Sequence, residues 1–308
     1  MKKLFKILAV IAVLLLIAFF ALQKKSFPIE DLKKKYTNAS SKFLEFDGMQ
    51  VHYKVEGEGK PIVLIHGTGA SLQTWDGWTD SLVKNNYKVI RIDMPAFGLT
   101  GPNKTNDYSS KMYVDFFDRF LHKIGIDTFA IAGNSLGGEI AWKYTLAHPE
   151  KVTKLILVDP AGFYSKEKGN GAIIFKLVKI KWFASLMSKI DTKIIVNQTV
   201  KDVYFDDTKI TDKQVELYYD MSMREGNRES FSRRVQQVDE EPILDVASIK
   251  TPTLIQWGKQ DILLDISLIE NFKKIPNNKI IEYDNCGHSP QEEIPKKSVK
   301  DVISFLKP

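Results

Sequence analysis

Two kinds of hydrophobic pattern alternate along this chain. Short, nearly continuous apolar runs occupy residues 61–65, 88–92, 128–132, 155–158 and 253–257, with a weaker one at 279–283. Runs of this length, bounded by turn residues, suit strands buried on both faces. Between them, apolar positions recur at helical spacing over 72–84, 108–124, 136–148, 267–274 and 294–306. Strand and helix in alternation predict an α/β fold, a mostly parallel doubly wound sheet with helices on both faces. Ahead of the first run, residues 43–46 and 49–55 predict two strands joined by Asp47-Gly48, a strong tight-hairpin signal. The rhythm breaks after residue 161: for some 80 residues the periodicity stays helical, which predicts a helical cap over 162–241 inserted into a core of 43–161 and 242–308.

The first 42 residues follow neither pattern. Residues 7–22 are uniformly apolar, and Leu4 and Phe5 extend the run if Lys6 reaches back toward water. About 19 residues make roughly 28 Å of helix, close to a bilayer core. The end of the run lacks a clean A-x-A cleavage site and no lipobox cysteine follows it, so residues 1–25 are expected to be an uncleaved, single-pass membrane anchor. Residues 26–42, polar and Lys-rich, are expected to be a tether. Lys2, Lys3 and Lys6 precede the span and Lys24, Lys25, Lys33, Lys34 and Lys35 follow it, so charge alone leaves orientation open. The short basic start before a long domain favours a periplasmic or extracytoplasmic domain.

Charge removes other classes. Lysine and arginine exceed the acids by six, but five lysines and no acid lie in the first 25 residues, which leaves 39 cations against 38 acids in the remainder. A nucleic-acid binder needs its basic excess on the folded surface, and none exists here. The single Cys286 can form neither an internal disulfide nor a paired metal or redox motif, and the five histidines show no ligand spacing. No metal or cofactor is implied.

Chemistry concentrates at three junctions. Gly133-Asn134-Ser135-Leu136-Gly137-Gly138 sits where a buried strand meets a helix, the setting of a nucleophile elbow that lifts a serine above the sheet. The helix N-terminus behind Ser135 favours developing negative charge. His66-Gly67-Thr68-Gly69 follows the first apolar run, so the backbone N–H groups of Thr68 and Leu136 are candidate oxyanion donors. His66 itself is expected to brace that loop. A serine needs a general base and the base an orienting acid. His288 lies in a loop between the last strand and the last helix, where the carboxyl ends of a parallel sheet bring loops together. His52 falls in the hairpin, and His122 and His148 on helices. Asp261, after Trp257-Gly258-Lys259-Gln260, completes the chain order Ser, Asp, His. Asp159 and Asp265 are alternative positions for the acid. Trp75 and Trp78 are candidates to line an acyl pocket, with core packing as the competing role.

Together with Asp93-Met94-Pro95-Ala96-Phe97-Gly98 and Gly287-His288-Ser289-Pro290-Gln291-Glu292-Glu293-Ile294-Pro295, these motifs make residues 43–308 resemble an α/β-hydrolase with a helical cap. The resemblance is to bacterial lipases and esterases and to meta-cleavage-product hydrolases. It implies that Asp93 and Pro95 shape their loop rather than react, and Ala96 stands where such proteins commonly carry glycine. A serine at the elbow, in place of aspartate, speaks against the related dehalogenases and epoxide hydrolases. The leading expectation is a serine esterase or lipase forming an acyl-enzyme on a small-molecule or lipid ester. Hydrolysis of a carbon–carbon bond in a vinylogous diketone acid is the alternative, and a ligand-binding protein retaining the triad is a third. Within the cap, residues 172–187 interleave bulky apolar residues with Lys176, Lys179 and Lys181, as either a cap helix or a lipid-surface segment would.

Overall fold

The computed structural model of the chain describes residues 3, 5–6, 19–163, 176–237 and 245–307. The strands are β1 (Ser41–Phe46), β2 (Met49–Glu56), β3 (Lys60–Ile65), β4 (Tyr87–Ile92), β5 (Phe129–Ser135), β6 (Val152–Pro160), β7 (Thr253–Gly258) and β8 (Asn278–Tyr283). They form one sheet in the order β1-β2-β4-β3-β5-β6-β7-β8. The β1–β2 and β2–β4 pairs are antiparallel and the others parallel. Asp47 and Gly48 turn the hairpin with φ of 51° and 71°, the left-handed pair that a two-residue connection requires.

The helices in chain order are α1 (Ile29–Tyr36), α2 (Asp76–Lys84), α3 (Ser110–Lys123), α4 (Leu136–Ala147), α5 (Lys181–Met187), α6 (Lys193–Val203), α7 (Asp212–Met223), α8 (Asn227–Gln237), α9 (Ile269–Phe272), α10 (Pro290–Glu293) and α11 (Pro295–Leu306). The central strands read as continuous apolar runs because their alternate residues feed two cores. Val63, Ile65, Ile131, Leu155 and Leu157 join the core with Phe117 of α3 and Ile140 of α4. Ile62, Leu64, Ala132, Ile156 and Val158 join the opposite core with Leu82 of α2 and Val302 of α11.

Helices α5 to α8 lie between β6 and β7 in the chain and carry the cap's own small core of Val178, Ala184 and Val235. Residues 164–175, part of the interleaved apolar and lysine segment, and 238–244 lie outside the described residues.

The expected tether is corrected. Residues 29–36 form α1, whose Leu32 is buried against Leu99 and Met221, and Lys35 and Tyr36 both bond Asp220 of α7 at 2.7 Å. A polar average hid a few well-placed apolar residues. The expected anchor lies mostly in residues 7–18, outside the described residues; among those described, no helix is long and apolar enough to cross a membrane.

Candidate active site

Ser135 ends β5 and immediately precedes α4, with φ of 53° and ψ of −118°. Such a conformation is strained for a side chain other than glycine and holds only where the surroundings over-determine it. The surroundings here are tight. A Cβ on Gly133 would lie 2.0 Å from the carbonyl oxygen of Gly137, and one on Gly137 would lie 2.1 Å from that of Ile65. The two glycines therefore let β5, α4 and β3 close around the turn and present Ser135 at its crest. Ser135, Thr68, Leu136 and His288 line one cavity of about 590 Å³. As the first residue of α4, Leu136 has an N–H without an intrahelical acceptor.

His288 is buried, and its Nδ1 meets Oδ2 of Asp261 at 2.7 Å. The other oxygen of Asp261 accepts from the N–H groups of Leu263 and Leu264 at 2.8 and 2.9 Å, which fixes the carboxylate. With Nδ1–H donating to this carboxylate, Nε2 is left as the proton acceptor. The backbone N–H of His288 donates to Val203 O at 2.7 Å, so the His288 loop is bonded directly to the cap.

The alternative acids have other partners. Asp265 caps a short 3-10 turn by accepting from Ser267 N–H at 3.0 Å. Asp159, with φ of 43°, accepts from Gly258 N–H at 2.9 Å, and its second oxygen is buried without a hydrogen bond. Burial, then the charge of Asp261, pushes the pKa of its carboxyl well above the usual range. Ligand atoms of Asp159, Asp261 and His288 lie within 4.8 Å of one another, and within this group Asp261 and His288 are directly hydrogen-bonded.

His66 braces the loop as expected: its Nδ1 donates to Gly67 O at 2.8 Å, its Nε2 accepts from Met94 N–H at 3.0 Å, and burial lowers its pKa so that it stays neutral. Asp93 fastens the neighbouring loop by accepting from Leu72 and Leu99 N–H groups and from His52. Trp75 and Trp78 require a correction. Both are fully buried in the core on the α2 and α11 side of the sheet, Trp78 donates to Ser298 Oγ at 2.8 Å, and neither reaches the cavity. Their large apolar area seals the sheet against α2 instead.

Sequence reasoning missed two contributors. The side-chain amide of Asn134 donates to the carbonyls of Val158 and His288, tying the elbow to the His288 loop. Glu139 on α4 lines the cavity and accepts from Ser110, Lys143 and Arg234 in a buried polar network. The spacing of Glu139 and Lys143, four apart on a helix, was the available signal. The remaining cavity wall comes largely from the cap, including Met187, Ile195, Val196, Val200, Met221 and Phe231.

Comparison with known proteins agrees with this architecture. Residues 60–178 match the α/β hydrolase fold family. The chain is 30% identical over 284 residues to human monoacylglycerol lipase ABHD6, covering 86% of this chain and 81% of that protein. It is 28% identical to a 2-hydroxymuconate semialdehyde hydrolase of Pseudomonas putida, over 84% of this chain and 91% of that protein. In fold it superimposes on the crystal structure of a bacterial membrane phospholipase A with a TM-score of 0.76 at 24% identity, over 99% of this chain and 98% of that one. With its elbow, its eight-stranded sheet and these relatives, the chain belongs to the α/β hydrolase fold family.

Proposed function

We propose that this protein is a membrane-anchored serine hydrolase of carboxylic esters, with Ser135 as nucleophile, His288 as general base and Asp261 as the acid that orients it. The observation that carries the reading is His288, paired with Asp261 at 2.7 Å, on the wall of the same cavity as the strained Ser135. Ser135 Oγ attacks the ester carbonyl while His288 Nε2 takes its proton. The N–H groups of Thr68 and Leu136 receive the oxyanion, and imidazolium then gives the proton to the departing alkoxide. Water, deprotonated by the same imidazole, releases the acid from the acyl-enzyme. A largely apolar cap wall suits a lipophilic acyl chain, and the similarity to a monoacylglycerol lipase supports a glyceryl or other lipid ester as the substrate class. Residues 1–25 anchor the enzyme, with the catalytic domain on the extracytoplasmic side.

A second reading, hydrolysis of a carbon–carbon bond in a ring-cleavage diketone, is favoured by the similarity to the muconate semialdehyde hydrolase. One experiment separates the readings: a panel of esters of graded chain length plus one such diketone, run on the protein and on Ser135→Ala. The expected result is ester turnover lost in the variant, with a fluorophosphonate labelling Ser135 alone. Diketone turnover without ester turnover would replace the proposal by its alternative. A single stoichiometric turnover would make the protein a ligand trap.

A further inference from the structure

The outer surface of the cap is unusual for a soluble domain. Trp182 is 70% exposed, Ile194 78% and Leu186 36%, whereas Ala184 on the opposite side of α5 is buried. Trp182 and Leu186 are four apart and share a helical face. Lys181 and Lys189 flank them, and Lys193 stands beside Ile194 at the start of α6, all exposed. Over residues 19–28 and 176–201 the sequence has eight lysines and one acid, Asp191, which is paired with Lys24. The inner faces of the same helices line the cavity through Met187, Thr192 and Ile195.

The N-terminal segment reaches this surface. Asp191 N–H donates to Leu22 O at 2.7 Å and Lys24 N–H to Lys189 O at 3.1 Å, so the end of the apolar run is bonded to the turn between α5 and α6. Phe20 and Leu22 are themselves 62% and 45% exposed. Residues 22–24 are therefore fixed against the turn between α5 and α6.

We propose that the outer face of α5 and the start of α6 is a second bilayer contact, separate from the anchor, in which Trp182, Leu186 and Ile194 enter the headgroup region and Lys181, Lys189 and Lys193 face anionic lipid. The proposal rests on the anchored-hydrolase reading for the presence of a bilayer. Exposed apolar patches on a cationic ground mark interaction sites, and bulky apolar side chains interleaved with lysine suit a membrane interface. Anionic lipid attracts such lysines within a Debye length. Docked this way, the cavity is one helix away from the lipid that supplies its substrate.

Trp182 also serves as the reporter. Of the five tryptophans, Trp75, Trp78, Trp142 and Trp257 are at most 1% exposed, and residues 1–25 contain none. The full chain is reconstituted in vesicles of phosphatidylcholine and phosphatidylglycerol, with and without brominated acyl chains. Flotation with the vesicles reads the anchor, and loss of emission in brominated lipid reads the cap. The expected result is quenching that disappears in Trp182→Phe and weakens when Lys181, Lys189 and Lys193 are changed together to glutamine. A chain that floats with equal emission in both lipids keeps its anchor and overturns the cap contact; one that does not float overturns both. Equal quenching on pure phosphatidylcholine would overturn the role of anionic lipid. Emission that varies with protein concentration in the absence of lipid would assign the surface to a second copy instead.

Discussion

Asn134 and His288, 154 residues apart in sequence, are joined by one hydrogen bond from the Asn134 amide to the His288 carbonyl at 3.0 Å. The same amide holds Val158 O at 3.1 Å, so a single side chain joins the elbow, β6 and the His288 loop. Asn134→Ala leaves two buried carbonyls without that donor and frees the His288 loop to shift. Misplacement of about 1 Å costs on the order of 100-fold in rate. A fall of kcat by roughly 10- to 100-fold, with KM on a short ester little changed, is the expected outcome. Unaltered kcat in a folded Asn134→Ala protein would show that the cap bond to His288 N–H is sufficient to hold the loop.

The two buried aspartates near His288 should respond oppositely to neutralisation. Asp261→Asn replaces the acceptor of the His288 Nδ1 proton and should lower turnover by about 10⁴-fold, as loss of the equivalent acid does elsewhere. Asp159→Asn keeps a carbonyl for Gly258 N–H, suits the positive φ, and should retain activity. Its effect belongs to stability. Because burial raises the Asp159 pKa in the folded state, the folded protein holds this proton above the unfolded value of about 3.9 while the unfolded chain releases it. Stability contributed by this group is present at low pH and falls as pH rises through that window. Asn cannot ionise, so the thermal midpoint of Asp159→Asn relative to the parent should be near zero at pH 4 and grow toward pH 8. A constant difference across that range would mean Asp159 is ionised in the fold.

What could be read in the sequence was whatever depends on neighbours in the chain. Continuous apolar runs announced β3 to β7, and the glycines around Ser135 announced the elbow, because close backbone approach is a local demand. That Asp261 and His288 meet was foreseeable from their positions after β7 and β8, where topology brings loops together. The Asn134–His288 bond was invisible, since nothing in the spacing of residues 134 and 288 encodes a contact. Leu32 was missed for a related reason: one apolar residue on a charged helix becomes informative only when Leu99 and Met221 are known to face it.

Trp75 separates a pocket role from a core role. The indole is fully buried in the core shared with α2 and α11 and packs against Trp78 with ring centroids 4.8 Å apart. Trp75→Ala should destabilise by about 3–5 kcal/mol, the range for truncating a buried tryptophan. Its preference among acyl chain lengths should match the parent at a temperature where both are folded. A changed chain-length profile with little loss in denaturant midpoint would return Trp75 to the substrate pocket.

Truncation from the N-terminus tests where the fold begins. Removing residues 1–18 leaves every described contact in place, so the product should be soluble, keep its thermal midpoint, and hydrolyse a short water-soluble ester at the parent rate. Removing residues 1–28 takes away more than a linker. It deletes the Leu22 and Lys24 bonds to the α5–α6 turn, the exchange of N–H groups between Phe27 and the Met223 to Glu225 segment, and two acceptors of Arg228, the Lys24 carbonyl and Ser26 Oγ. Arg228 also lines the cavity, so losing its partners reaches the site. Each kcal/mol lost should lower the midpoint by roughly 2–4 °C in a domain of this size. The cut at 28 should therefore melt several degrees below the cut at 18, with a raised KM for long-chain esters. A cut at 36, which also removes Leu32 and both partners of Asp220, should melt lower still. Equal midpoints for the three would mean that residues 19–36 rest on the cap without stabilising it, and the proposed anchor would then be free to move independently of the cavity.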